Sequence, residues 1–461
     1  LHLNLFDAMI IPKKSTLLTD PFFKKMLLVL VLFGLNSLKA QQNNFLSLRE
    51  ALQIAKENNL SILKSQLDIH LLEENVKESK ELRLPDVEIS GGYSRISNLT
   101  QFKSSFMKEK EVVHTIPEMY DLKTDFRMPL YAGNKINNAI EIAKQQVEIA
   151  GITKEKVEND VQLLVISTYL EIYKLRELQK IIEENIKEEQ NRLKEVHSLQ
   201  KHGTVTKNEV LRAELQLTDR ELTALNNSKN IQILLHDFKT LLQLPEEQEI
   251  SVDSSAIINE NKVDPYDLYL SRALNNEDIR IANQQVNIRK TEMNLIKGNY
   301  YPSINFFGNY ALKYPNYMFF PPEPYLYSLG QIGIEARFDL SELYKNKTKM
   351  HIADTKLEWQ KMETKIVKDK VQDELYKNHV HYQEAIETFK VVDKSLELAE
   401  ENYRIVKVKY LNQLVLITEM VDADNSLLQA RYSKIATRID AAMKHYKLLH
   451  TAGLLKEEFK L

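Results

Sequence analysis

The chain has 461 residues with 62 basic and 65 acidic side chains, and its formal net charge of −3 leaves no electrostatic footprint for nucleic acid. A hydrophobic content of 43% excludes a disordered chain, and the lack of cysteine excludes disulfides, thiol catalysis, cysteine-ligated metals and N-terminal cysteine lipidation. Only 11 Gly and 12 Pro occur, and no proline falls between Leu130 and Leu244 or after Pro324, so very long helices are permitted.

First in chain order is the apolar run Met26–Leu35, preceded by Lys24 and Lys25 and followed by Ser37–Ala40. A bilayer-spanning helix needs about 20 apolar residues, roughly twice this length. A basic flank, a short apolar stretch and a small residue at its end form the layout of a secretory signal peptide cleaved after Ala40. Residues 1–40 are read as an N-terminal extension and signal peptide, and 41–461 as the mature chain. No later segment is a candidate membrane-spanning helix, so residence in a membrane would require a barrel.

The mature chain is an internal repeat. Lys80–Tyr93 aligns with Lys297–Tyr310, placing Pro85 on Pro302 and Gly91 on Gly308, and the same spacing sets Asn58-Asn59 on Asn275-Asn276. Further along, Gly203–Ala213 aligns with Gln413–Ala423. These matches predict two repeats, about 45–245 and 263–453, each ordered helix, strand, loop, strand, long helix, turn, helix. The strands alternate cleanly. Val87, Ile89, Gly91 and Tyr93 oppose Asp86, Glu88, Ser90 and Ser94, and Leu122, Thr124, Phe126, Met128 and Leu130 oppose Asp121, Lys123, Asp125 and Arg127. The second repeat does the same with Ile304, Phe306, Tyr310 and Leu312, then Ile332, Ile334, Ala336 and Phe338. Segments of about 10 residues with one apolar and one polar face fit a transmembrane barrel, and equally a soluble sheet lying on helices.

After each strand pair the pattern predicts one long helix, Asn134–His202 and then Leu343–Leu411, each roughly 100 Å at about 1.5 Å per residue. Tyr382, Ile386, Phe389, Val392, Leu396, Ala399, Tyr403, Val406 and Tyr410 advance by steps of three and four, the spacing of a coiled-coil seam. Val157, Val161, Leu164, Leu175, Leu178, Ile182 and Ile186 keep similar spacing in the first repeat. Breaks at His202-Gly203-Thr204 and Asn412-Gln413 precede returning helices that stop at Pro245 and Gly453. Four strands cannot enclose a lumen, and an open sheet would leave bare edges in lipid, so a membrane location requires several chains to share one barrel.

These features together resemble the TolC family of outer membrane efflux proteins. The resemblance covers the whole chain after residue 40. It rests on the duplication, the paired strands and the helix-turn segments His202–Ala213 and Tyr410–Ala423. It implies a mainly α fold with a small β part: long antiparallel coiled-coil helices plus two two-stranded hairpins per chain, completing a 12-stranded transmembrane barrel in a homotrimer. It implies a passive exit channel in the bacterial outer membrane whose helices reach into the periplasm. Its expected partners are a periplasmic adaptor protein and an inner-membrane pump of the RND or ABC type. The resemblance places a periplasmic aperture at Tyr410, Glu419 and Asp422, with Glu209 as the first-repeat equivalent of Glu419. It places adaptor contacts at the helix-turn tips Gly203, Thr204, Val205, Gln413 and Val415. Two departures stand out: Gln413 replaces the second-repeat glycine, and Val415 occupies the position of a latch arginine. Acids in a first helical turn are also favoured by the helix dipole alone, which gives Glu419 and Asp422 an alternative explanation.

No cofactor or metal site is expected. His379 and His381 lie two apart on a helix and point to different faces, and no glycine-rich phosphate loop or nucleophile constellation occurs. The dense aromatics between Tyr300 and Tyr344 fit lipid-facing and interfacial positions, and Tyr314–Tyr325 fits an external loop. The competing function, from a different class, is a periplasmic or secreted coiled-coil structural protein.

Overall fold

The computed structural model describes residues 45–105, 108–254, 263–319 and 321–459; the signal-peptide segment lies outside them. The chain begins with β1 (Phe45–Leu46), α1 (Leu48–Asn58) and α2 (Leu60–Glu81). Strands β2 (Asp86–Arg95), β3 (Leu99–Ser105), β4 (Lys108–Val113) and β5 (Glu118–Ala132) come next. Helix α3 (Lys135–Lys201) returns as α4 (Lys207–Leu242). After β6 (Ser251–Val252) come α5 (Tyr266–Ala273), α6 (Glu277–Lys297), β7 (Ser303–Tyr314) and β8 (Tyr327–Arg337). The chain ends in α7 (Glu342–Leu411), α8 (Ile417–Thr451) and α9 (Leu455–Phe459).

The main sheet has the order β2-β5-β7-β8, antiparallel throughout, so the two hairpins predicted separately join edge to edge into one four-stranded sheet. Its register places the apolar residues together. Val87 faces Phe126, Gly91 faces Leu122 and Tyr93 faces Tyr120. Phe126 in turn faces Gly308, which faces Ile332. The opposite side collects Glu88, Asp125, Asn309 and Gln331 in one row. Tyr93, Tyr120 and Tyr314 close the far end of the apolar face with ring centroids 5.4 and 5.1 Å apart. A register shift between Pro129 and Tyr131 accommodates a proline that has no N–H for the ladder.

The loop expected between β2 and β5 carries a second hairpin of its own, β3–β4, with Leu99 opposite Val113 and Phe102 opposite Lys110. Below the sheet, Gly133 adopts φ 63° and sits against the backbone of Gly298. A Cβ on Gly298 would lie 2.7 Å from the Gly133 carbonyl oxygen, so only glycine fits where the linker from β5 to α3 crosses the linker from α6 to β7.

Helices α3 and α7 have 67 and 70 residues, and about 1.5 Å per residue makes each roughly 100 Å long. All nine seam residues predicted from Tyr382 to Tyr410 are buried or half-buried, and most residues between them are exposed. The principal core lies near mid-length. There α1, α5 and α9 wrap the bundle around Tyr169, Phe238, Leu375, Tyr382 and Leu448. Tyr169 OH lies 2.8 Å from both the Leu46 carbonyl oxygen and Asp253 Oδ1, tying the β1/β6 patch to α3. Among the described residues no helix is long and apolar enough to cross a membrane.

Candidate functional site at the helix tips

At the end of the bundle far from the sheet, α3 turns into α4 and α7 turns into α8. Both turns are built alike. Gly203 at φ 73° and Gln413 at φ 58° take the left-handed conformation that closes a helix end. Gly203 N donates to Gln200 O at 2.9 Å and Thr204 N to Leu199 O at 3.0 Å; Gln413 N donates to Tyr410 O at 2.9 Å and Leu414 N to Lys409 O at 2.9 Å. Gln413 therefore performs the turn that glycine performs in the first repeat. Thr204 Oγ1 adds a 2.7 Å bond to Leu199 O. Val415 is half-buried.

The tip has its own small core, separate from the main one. Val196, Val210, Ala213 and Ile417 are buried there, with Leu193, Val205, Tyr410 and Val421 against them. The structure thus brings Tyr410 and Val205 together. Glu209 accepts from Thr206 N at 3.0 Å in the first turn of α4. Burial, reinforced by the nearby Glu209 charge, raises the Tyr410 phenol above its ordinary value. Glu419 and Asp422 are both exposed near the start of α8, while Ile417 and Met420 turn inward. The two acids are outside the tip core that holds Tyr410.

Sequence reasoning missed a charged cluster in the seam just above. Asn185, Glu189 and Arg192 of α3 meet Asp424 of α8, and all four are buried. Arg192 Nη1 donates to Glu189 Oε1 at 2.7 Å, Arg192 Nη2 to Asp424 Oδ1 at 3.4 Å, and Asn185 Nδ2 to Asp424 Oδ2 at 3.3 Å. Beside it lies a cavity of about 190 Å³ lined by Glu188, Arg192, Glu195, Tyr403, Lys407 and Tyr410. Burial opposes the Arg192 charge, but the carboxylates Glu189 and Asp424 outweigh it and hold the guanidinium above its ordinary value. Burial, with Asp424 adding to it, likewise raises the Tyr403 phenol. The only signal in the sequence was spacing: Ile182, Asn185, Glu189, Arg192 and Val196 follow steps of three and four.

Elsewhere His379 is buried, with Nε2 3.2 Å from Asp264 O, while His381 is exposed and lies 3.2 Å from Glu384, so the pair diverges as its spacing predicts.

The model of the outer membrane efflux protein family matches residues 51–242. No curated protein matches the sequence. Several solved structures share the fold over nearly the whole chain. The outer-membrane channel OprN superposes with a TM-score of 0.71 at 14% identity, covering 90% of this chain and 93% of its own. VceC of Vibrio cholerae gives 0.69 at 14% identity, covering 88% and 96%. The open-state outer membrane channel MtrE of Neisseria gonorrhoeae gives 0.70 at 14% identity, covering 88% and 89%.

Proposed function

We infer that this chain, an outer membrane efflux protein of the TolC type by its family match over 51–242 and by its fold, is a subunit of an outer-membrane exit channel with a periplasmic helical duct. The observation that carries the reading is the open sheet. Its edge strands β2 and β8 have no ladder partner on their outer sides among the described residues, and its apolar face is exposed along those two edges and largely half-buried on the central strands. Ile89 is 72% exposed, Ile332 80% and Ile334 68%. Bare edges with an apolar face are untenable in lipid for one chain, and they become complete when β8 of one copy pairs with β2 of the next.

Three copies would supply 12 strands, enough for a barrel with a lumen, and 12 tip-directed helices of the α3/α4 and α7/α8 hairpins. The two repeats, about 45–245 and 263–453, would each contribute two strands and one helical hairpin. In this assembly the family's aperture falls at Tyr410, Glu419, Asp422 and Glu209. The turns at Gly203, Thr204, Val205, Gln413 and Val415 are the surface offered to a periplasmic adaptor, beyond which an RND or ABC pump in the inner membrane would supply the energy. The chain itself acts as a passive duct, not an enzyme. Chemical crosslinking in native outer membranes tests the assembly: a three-chain species is expected, and a monomer that stays soluble without detergent would overturn it.

A further inference from the structure

The buried cluster between α3 and α8 has an unbalanced charge. Two carboxylates, Glu189 and Asp424, contact one guanidinium, Arg192, in a site closed to solvent. Glu189 is fully buried, and its Oε2 has no hydrogen-bond partner among the described residues. A buried acceptor without a donor is costly, and so is an uncompensated buried charge. A single proton removes both faults. It neutralises the surplus negative charge, and it gives Glu189 a donor for the neighbouring Asp424 carboxylate.

Each packed element contributes groups to this balance. Glu189, Glu188 and Arg192 come from α3; Asp424 comes from α8. Arg220 of α4 is close enough to favour the charged form of Glu189, but it donates to Asn425 instead of contacting either carboxylate. Tyr403 of α7 faces Arg192 and Asp424. The contact joins the first helical hairpin to the second directly above the tip core, so its state bears on whether the two hairpins stay together.

We propose that Glu189, Arg192 and Asp424 form a proton-operated clasp that holds the two helical hairpins together when Glu189 is protonated and lets them part when it ionises. Burial, with Asp424 adding to it and Arg192 opposing, pushes the Glu189 carboxyl from an ordinary 4.5 up to about 7. Raised acidity constants favour the packed state at low pH. The clasp is therefore at full strength below about 4.5, weakens as pH rises, and is lost as pH passes about 7.

The proposal extends the channel reading to its regulation, and its test includes one readout that needs no pore. Backbone hydrogen exchange over 182–196 and 417–428 is measured on the purified full chain at about pH 5.5 and about pH 8.5, corrected for the intrinsic pH dependence of exchange. The parent should open at least about tenfold more readily at the higher pH. Glu189→Gln, neutral at every pH, should stay slow at both. Asp424→Asn removes the surplus charge and should move the transition to lower pH, an effect that loss of packing alone would not produce. A parent without a transition overturns the proposal, as does a Glu189→Gln variant that keeps the parent's transition. In planar bilayers the parent's conductance should rise over the same range and that of Glu189→Gln should not. If no pores form while the exchange pattern holds, the channel reading fails and the clasp stands.

Discussion

Among the described residues Arg192 is the single cation buried in this seam, and its removal is more damaging than its replacement along with its partners. Arg192→Met would leave Glu189 and Asp424 buried without a counter-charge, a loss of about 3–5 kcal/mol. The loss should appear as a lowered thermal midpoint at about pH 5.5, where the parent's clasp is closed. Replacing Glu189, Arg192 and Asp424 together by apolar residues of similar volume should recover most of the stability, because no charge then remains to be desolvated. Exposed acids behave differently. Glu419→Gln with Asp422→Asn leaves both buried cores untouched, so assembly should be unchanged; under the aperture reading, cation selectivity in planar bilayers and block by multivalent cations should both fall. Unchanged selectivity and block would reduce these residues to a solvated helix start. Glu189 and Arg192 themselves sat at seam spacing in plain view, but a charged residue there reads as a solvated face. What removes the charge from water is Asp424, 232 residues from Arg192, and nothing in the local pattern announces that partner.

The long helices were legible because their determinants are local: proline-free runs and a seam spacing that repeats for many turns. Observed ends at Lys201 and Leu411 fall within one residue of those expected. Leu164 departs from the expected seam. It is 52% exposed, while Val161, Val165, Ile166 and Tyr169 point inward, because α3 there packs against a girdle of short helices instead of a single partner. Hairpin β3–β4 has no comparable signature in the sequence: Lys108-Glu-Lys-Glu alternates two charges and has no apolar face to mark a strand. The repeated asparagines gained a physical meaning. Asn59 accepts from Ser61 N to cap α2 and donates to Leu241 O, and Asn276 accepts from Asp278 N to cap α6 and donates to Thr451 O. Each fastens the start of one helix to the end of the returning helix of its own repeat. Asn276→Ala should therefore cost more than an ordinary exposed cap, about 1–2 kcal/mol, read as a lowered thermal midpoint. Asn276→Asp keeps the cap acceptor but loses the donor to Thr451 O and should fall between the two. Equal stability of all three would show that neither bond matters.

For the whole molecule, the two functional readings differ in what they require of the sheet. A soluble scaffold has no need for an apolar outer wall, whereas a barrel shared among chains must present one to lipid. Neighbouring residues of β8 separate these cases. Ile332 lies on the apolar face opposite Gly308, and Gln331 lies on the polar face opposite Asn309. Both positions are exposed in the single chain, so neither substitution disturbs a core within it. In a barrel, Ile332→Arg places a charge in hydrocarbon, at a cost of about 2–4 kcal/mol per chain near the bilayer midplane. Three copies would feel it together. Gln331→Arg points the same charge into the aqueous lumen, where it alters conductance and leaves insertion intact. The expected result is that Ile332→Arg strongly reduces the heat-resistant oligomer recovered from outer membranes, while Gln331→Arg is recovered like the parent. Because the two residues are adjacent in sequence and opposite in face, loss of both would point to general damage to β8. Recovery of both would mean that this face does not meet lipid, and the coiled-coil scaffold would then be the better account of the chain.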